Sequence, residues 1–342
     1  MVKVGIAGAT GYTGYELVRI LHAHPSAEIA WLTSESFAGK KFSEVFPSPY
    51  EGELLRLSDA PLQEADVVFL ALPHGASMEA VRRAYDAGAL VIDLSADFRL
   101  RSAEAYEKWY GVEHTQADLL DQAVYGLPEL HRDEIEGARL IANPGCYPTA
   151  AILALYPLVH SALLEPPVFV DAKSGVSGAG RKPSLKTHFV EVNENFSAYS
   201  VGYRHRHVAE MEQELGLSGP EEILFIPHLL PVSRGILETM VVRVRKRYSA
   251  SQLRELYLRC YDEAPFVWVL PEGETASLAH VVGTNLFAIG ITPVSEENAG
   301  VDEFIVTVAI DNLLKGASGQ AVQNMNIALG LPEGAGLGVT AR

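Results

Sequence analysis

Cysteine is nearly absent from the 342-residue chain, with one residue at Cys146 and one at Cys260. Two thiols in such different contexts do not make a disulfide framework, and the expected compartment is the reducing cytoplasm. Nothing near Cys146 in sequence supplies a second cysteine or a paired histidine, so no metal is expected. Long apolar runs are missing too, which argues against a membrane span. The opening MVKVGIAGATGYTG reads as a buried strand and a glycine turn, not as a signal peptide. Positive charge is in short supply. Lys and Arg number 27 against 43 Asp and Glu, a formal charge of -16, which disfavours nucleic acid and anionic membrane as partners. Low-complexity segments and obvious linkers are also lacking.

What is present is ordinary for a folded protein: 48% hydrophobic and 20% charged residues over a length that suits two domains. The first part alternates short apolar runs (VKVGIA, AEIAWLT, DVVFLALP, ALVIDLS, ARLIANP) with helical material such as SMEAVRRAYDAG. That alternation predicts a Rossmann-like, doubly wound parallel sheet of α/β class. Beyond about residue 147 the runs lengthen and alternate, as in EEILFIPHLLPVSRGILETMVVRVRK and EFIVTVAID. They predict a second domain of α+β class with a mixed sheet. The tail DNLLKGASGQAVQNMNIALGL returns to helical spacing and is expected to pack back on the first domain.

Directly after the first strand, GIAGATGYTGYEL places glycines at Gly8, Gly11 and Gly14 before a helix. Glycine permits the sharp turn and lets a pyrophosphate approach the helix N-terminus, whose N–H groups favour anions. The spacing is GxxGxxG rather than GxGxxG, and a turn that merely packs helix on strand is the competing reading. The second strand ends LTSESFAGKKF. Glu35 there suits a ribose 2′-hydroxyl and hence NAD. Thr33, Ser34, Lys40 and Lys41 suit a 2′-phosphate and put NADP ahead.

Cys146 sits in ANPGCYPTAAILALYPL, between a Pro-Gly turn and an apolar helix. A helix N-terminus lowers a thiol's pKa and turns it into a nucleophile; a packed structural cysteine is the alternative. For a proton partner the chain provides YRHRHVAEMEQEL. If the segment is extended, His205 and His207 project from one face, with Glu210 available to orient one of them; a polar helix start with surface histidines is the alternative. Arg99 in LSADFRL follows a strand's C-terminal end and suits a phosphate or carboxylate, or else a surface ion pair. KSGVSGAGRKPS adds Lys173, Ser174, Ser177 and Arg181 around glycines such as Gly175, a plausible anion-binding loop. A nucleophilic thiol, a nicotinamide cofactor and phosphate-binding groups together describe reduction of an acyl phosphate through a thioester.

The strings GATGYTG, LPHG, DLSADFRL, YGLPEL, NPGCYPT, SGVSGAGR, HRHVAE, PHLLPVSRGIL, GTN and IDNLLKGASGQAVQNMNI cover nearly the whole chain. In this combination the chain resembles the N-acetyl-gamma-glutamyl-phosphate reductases, NADP-dependent enzymes of arginine biosynthesis. The resemblance implies a fold like aspartate-semialdehyde dehydrogenase, with residues 1–147 completed by 313–342 and a catalytic and oligomerisation domain at 148–312. It further implies Cys146 as the thioester-forming nucleophile, His207 as acid/base with His205 its rival, and Glu210 assisting. Arg99 resembles the substrate-phosphate ligand, and Ser174, Gly175 and Ser177 lie near the acyl substrate. Thr10, Gly11, Tyr12, Thr13, Thr33 and Ser34 resemble cofactor contacts, and Asn312 the residue meeting the nicotinamide end. A small-molecule acyl phosphate as substrate, NADP and a cytoplasmic homotetramer complete the expectation. The family's histidine motif reads HRHxPE, and Ala209 replaces its proline here. The competing functions are a carrier-protein-linked aminoadipyl or glutamyl phosphate reductase of lysine biosynthesis, aspartate-semialdehyde dehydrogenase itself, and a non-catalytic NADP-binding protein.

Overall fold

The computed structural model describes residues 1–295 and 300–341. The chain divides into two compact units, Met1–Gly145 with Ala317–Gly338, and Cys146–Gly316 with the residues from Val339 on. The division falls between Gly145 and Cys146, where the change of pattern predicted 147, and the return begins at Ala317 rather than at 313. The reason is local: Cys146 and Tyr147 open a helix of the second unit. Residue 342, at the end of the predicted return, lies outside the described residues.

In the first unit seven strands form one sheet: β1 (Val2–Ala7), β2 (Ala27–Thr33), β3 (Leu54–Leu55), β4 (Val67–Leu70), β5 (Leu90–Asp93), β6 (Ala123–Tyr125) and β7 (Leu140–Ala142). Their order is β3-β2-β1-β4-β5-β7-β6, and every pairing is parallel. Strands β4, β5 and β7 are buried at every residue, as a sheet covered on both faces requires. The connecting helices include α1 (Tyr12–His22), α2 (Met78–Asp86), α3 (Ala103–Tyr110) and α4 (Pro128–Ile135). Strand order reverses between β1 and β4, so the glycine turn after β1 lies at the switch point where such sheets open a crevice. The C-terminal helix Gly319–Ala328 joins this unit. Its buried Gln320 and Asn324 donate to Gly126 O at 2.7 and 2.8 Å.

The second unit begins with α5 (Cys146–His160), which is apolar on all sides and packs on a second seven-stranded sheet. The sheet's members, with the helices among them, are β8 (Leu164–Gly175), α6 (Phe189–Val192), β9 (Ser197–Ala198), α7 (Val208–Leu215), β10 (Ile223–Leu230), β11 (Ile236–Tyr248), α8 (Ala250–Cys260), β12 (Val267–Val269), β13 (Phe287–Pro293) and β14 (Val301–Ile310). The order is β12-β13-β14-β11-β8-β10-β9, with β8–β10 and β12–β13 parallel and the remaining pairs antiparallel. Helix α5 tolerates Pro157 because its environment makes up the loss. Proline has no N–H for the carbonyl four residues back. Tyr261 Oη donates to that carbonyl, Leu153 O, at 2.6 Å, and Tyr257 Oη donates to Ala154 O at 2.7 Å.

Strand β11 alternates buried and accessible residues, and the alternation places Glu238 on its buried face between Ala172 and Val308. Glu238 is 0% exposed, and neither carboxylate oxygen has a hydrogen-bond partner among the described residues. Burial raises its pKa well above the usual 4.5, with the Lys173 charge opposing that rise. The fold therefore keeps the acid protonated where the unfolded chain ionises it. Its stabilising share is complete below 4.5 and is lost as pH rises toward the folded-state value. Glu238→Met is expected to add about 1–3 kcal/mol at pH 8, because an unsatisfied buried polar group leaves the core. Urea unfolding at pH 5 and pH 8 checks this. Equal stability of the two proteins at pH 8 would refute it.

Candidate active site

The first unit carries the glycine turn between β1 and α1. Gly8 has φ +80°, and a Cβ there would stand 2.3 Å from Ala71 O. A Cβ on Gly14 would stand 2.3 Å from Gly8 O, so helix and turn meet backbone to backbone. Gly11 is the N-cap of α1 and has no side chain to occupy the helix's first N–H groups. The end of β2 is tied to this turn. Gly8 N donates to Thr33 Oγ1 at 3.2 Å, and the Thr10 and Ser34 hydroxyls are 2.7 Å apart. Thr33 and Ser34 are 2% and 5% exposed. Glu35, the residue that suited NAD, has Oε1 accepting from Leu57 N at 3.0 Å. Lys41 is paired with Glu51 at 3.0 Å, and Lys40 lies over the Phe37 ring. The Ser318 hydroxyl donates to Thr13 O, joining the C-terminal return to α1.

Arg99, read from sequence as suiting a phosphate or carboxylate, lies in the first unit beyond the end of β5. It is 6% exposed; its Nε donates to Asn143 O at 2.7 Å and its Nη2 to Leu94 O at 2.9 Å. Burial turns this guanidinium into a brace for the strand ends that lead to Cys146. Beside it, Asp93 accepts from the Ser77 and Ser95 hydroxyls, both at 2.6 Å. Complete burial pushes Asp93 up to about 6. Asp97 accepts from Gly75 N at 2.8 Å, Ser77 N at 3.2 Å and Tyr106 Oη at 2.7 Å, pinning the LPHGAS loop.

The second unit carries the thiol. Cys146 is the first residue of α5, where the helix dipole favours a thiolate. Tyr147 follows it, and its ring meets those of His205 at 5.5 Å, His207 at 5.9 Å and Phe225 at 5.1 Å. Tyr199 Oη donates to Tyr147 Oη at 3.0 Å; burial, helped by the Cys146 charge, pushes Tyr199 up to about 12. The histidines do not lie on an extended segment. They occupy a turn into α7, with His207 as the helix N-cap at φ -65°, ψ -15°. Their rings are nonetheless 4.7 Å apart, since His207 N donates to His205 Nδ1 at 3.3 Å and folds one over the other. Burial, followed by the Arg206 charge, pushes His205 down to about 4. Glu210 is fully buried in the first turn of α7.

The glycine loop after β8 is latched to its neighbours. Ser174 is 3% exposed and donates to Gly175 O at 3.0 Å, and a Cβ on Gly175 would stand 2.7 Å from Arg234 N. Ser177 Oγ accepts from Asn312 Nδ2 at 3.0 Å, while Asn312 Oδ1 accepts from Gly235 N at 2.7 Å. Asn312 thus uses both ends of its amide inside the second unit. Lys173 also departs from the anion-loop reading. Strand alternation turns it away from Ser174, and its Nζ pairs with Asp171 at 2.6 Å. Arg181 is exposed. Among the described residues no group of three or more His, Cys, Asp or Glu is placed to hold a metal ion. No helix there is long and apolar enough to cross a membrane.

Residues 3–138 match the semialdehyde dehydrogenase NAD binding domain, and residues 146–312 match the semialdehyde dehydrogenase dimerisation domain. The chain is 54% identical to N-acetyl-gamma-glutamyl-phosphate reductase of Pelotomaculum thermopropionicum, over 98% of this chain and 97% of that protein. It is 51% identical to the protein of that name from Geobacter sulfurreducens, over 98% of both. The chain belongs to the N-acetyl-gamma-glutamyl-phosphate reductase family. Among solved structures it is similar in fold to aspartate semialdehyde dehydrogenase II of Vibrio cholerae complexed with ASA, with a TM-score of 0.73 at 19% identity, covering 96% and 98% of the two chains. It is also similar to aspartate semialdehyde dehydrogenase of Candida albicans with NADP, with a TM-score of 0.70 at 18% identity, covering 96% and 99%.

As a member of the N-acetyl-gamma-glutamyl-phosphate reductase family the chain is an oxidoreductase with a nicotinamide-binding first domain. Reading the sequence missed Tyr147, Tyr199 and Phe225, which surround the histidines. Only the position of Tyr147 next to Cys146 was a usable signal. Tyr199 lies 52 residues from its partner, and nothing local marks it.

Proposed function

We propose that this chain reduces N-acetyl-L-glutamyl 5-phosphate to the 5-semialdehyde and phosphate, with NADPH as cofactor, in arginine biosynthesis. The observation that carries the reading is Cys146 at the first position of α5, with two imidazoles against the adjoining Tyr147 ring. The Cys146 thiolate attacks the acyl carbon, the bond to the phosphate oxygen breaks, and a thioester with free phosphate results. When bound, the cofactor supplies the hydride that this thioester accepts more readily than a carboxylate would. His207 gives a proton to the oxyanion that hydride addition leaves and takes it back as the thiohemiacetal collapses to aldehyde and thiolate. His205 stays neutral and fixes the turn through its Nδ1, and Glu210 supports the start of α7. Ser174, Gly175 and Ser177 line the acyl-phosphate side.

Gly8, Gly11 and Gly14, with Thr10, Tyr12 and Thr13, hold the cofactor pyrophosphate at the α1 N-terminus. Thr33 and Ser34, next to that turn, face the 2′-phosphate; the engagement of Glu35 with Leu57 N supports NADP over NAD. Neither Cys146 nor Cys260 is part of a disulfide, in keeping with a reducing cytoplasm. Phe169 and Val241 pair across β8 and β11, each 46% exposed, and support assembly through this sheet face into a homotetramer.

The test runs the reaction backward. Purified protein is expected to reduce NADP with N-acetylglutamate semialdehyde only when phosphate is present. Aspartate semialdehyde and NAD should each be turned over at least about tenfold more slowly, a difference of 1.4 kcal/mol. Turnover without phosphate, or equal rates with aspartate semialdehyde, would overturn the reading.

A further inference from the structure

Three motifs found no use in the reaction: PHLLPVSRGIL, GTN and IDNLLKG. The structure brings them to one residue. Asp311, 0% exposed, follows the last residue of β14. Its carboxylate meets Arg234 twice, Nε at 2.8 Å and Nη2 at 3.0 Å, and accepts from Gly283 N at 2.8 Å and Leu313 N at 2.9 Å. Its carbonyl accepts from Leu314 N at 3.1 Å and Gly316 N at 3.0 Å. The second of these spans five residues and opens a π-helical turn over Leu314–Ser318. Such turns are rare and concentrate at functional sites.

Gly316 is where this turn meets the thiol residue. A Cβ built on it would stand 2.8 Å from Cys146 Cβ and 3.3 Å from both Cys146 Cα and Ile310 Cδ1. Distances below 3.0 Å are essentially never seen for a real Cβ. Neither partner has room to yield. Cys146 Cβ is fixed to the first residue of a buried helix, and the turn is held by the six contacts to Asp311. We infer that Gly316, presented by the turn that Asp311 anchors, is a positioning residue that sets where Cys146 holds its sulfur. The inference rests on the thiol reading above but not on the identity of the substrate.

Gly316→Ala is therefore expected to lower kcat about tenfold to a hundredfold, the cost of displacing a reacting group by a fraction of an ångström to one ångström. KM should stay within about twofold, since only the reacting atom has moved. Iodoacetamide labelling followed by mass spectrometry should show an altered rate and pH profile at Cys146, with Cys260 unchanged as the internal reference. Labelling needs no substrate, so it separates this inference from the choice of acyl phosphate. Unchanged kcat with unchanged labelling of Cys146 would overturn it. Should Gly316→Ala unfold, the cycle with Cys146→Gly decides. Removing the opposing Cβ must restore folding, or recover most of the lost unfolding temperature relative to Cys146→Gly alone. A double variant as unstable as the single would mean that Cys146 is not the group displaced, and the inference would fall.

Discussion

Cys146→Ser is expected to reduce turnover about 10⁴-fold or more while leaving fold and NADPH affinity intact, on the scale seen when a covalent nucleophile is removed. Two effects combine. A serine hydroxyl at the first residue of α5 stays protonated at neutral pH, because the helix N-terminus shifts a pKa by a few units and not by the amount an alkanol needs. Any acyl-enzyme that did form would be an ester, a poorer hydride acceptor than the thioester. NADPH affinity is spared because the residues proposed to hold the cofactor's pyrophosphate and 2′-phosphate belong to the first unit, whereas Cys146 opens the second. Steady-state rates and a fluorescence titration with NADPH check both halves. Retained thioester-dependent turnover would remove Cys146 from its role. Burial raises the Cys260 thiol pKa, so the same protein is expected to alkylate first at Cys146.

His207→Asn is expected to cost about 10³-fold in kcat/KM, within the usual range for a lost general acid/base, and to erase one limb of the bell-shaped pH profile. His205→Asn should leave both limbs in place and act mainly through packing. The structure separates the two rings on physical grounds. His205 is pushed down to about 4 by burial and Arg206, so at neutral pH it holds no second proton to donate. Its Nδ1 is engaged by the His207 amide. A bell unchanged in His207→Asn would transfer the role to His205. The depressed His205 pKa also has a stability consequence: its contribution is present above the unfolded value of 6.5 and is lost as pH falls toward about 4. Together with Glu238, which acts in the opposite direction, it narrows the pH range of greatest stability from both sides.

The parts of the candidate site legible in the sequence are those whose geometry is local. Gly8, Gly11 and Gly14 lie within seven residues, and the requirement for backbone without Cβ belongs to the turn itself. The Pro-Gly pair before Cys146 and the apolar run after it mark a helix start with equal economy. The run ILETMVV was read only as an alternating strand; that Glu238 lies on its buried face with no partner for its carboxylate among the described residues is visible in the structure alone. Lys173 and Arg99 were read from residue type and local sequence alone. Residue type suggested an anion ligand, while strand period and burial committed each side chain elsewhere. His205 and His207 fitted either an extended segment or a helix start, and the turn into α7 is what brings their rings together.

Neighbours in the chain thus determined the class of fold, the glycine turn before α1 and the helix start at Cys146, because hydrophobic period, glycine freedom and a helix start are written within a few residues. Contacts across long separations settled the rest. Tyr199 reaches Tyr147 over 52 residues, Asn312 reaches Ser177 over 135, and Arg234 reaches Asp311 over 77. Desolvation, which sets apart His205 and Glu238, exists only once those distant segments have closed around them.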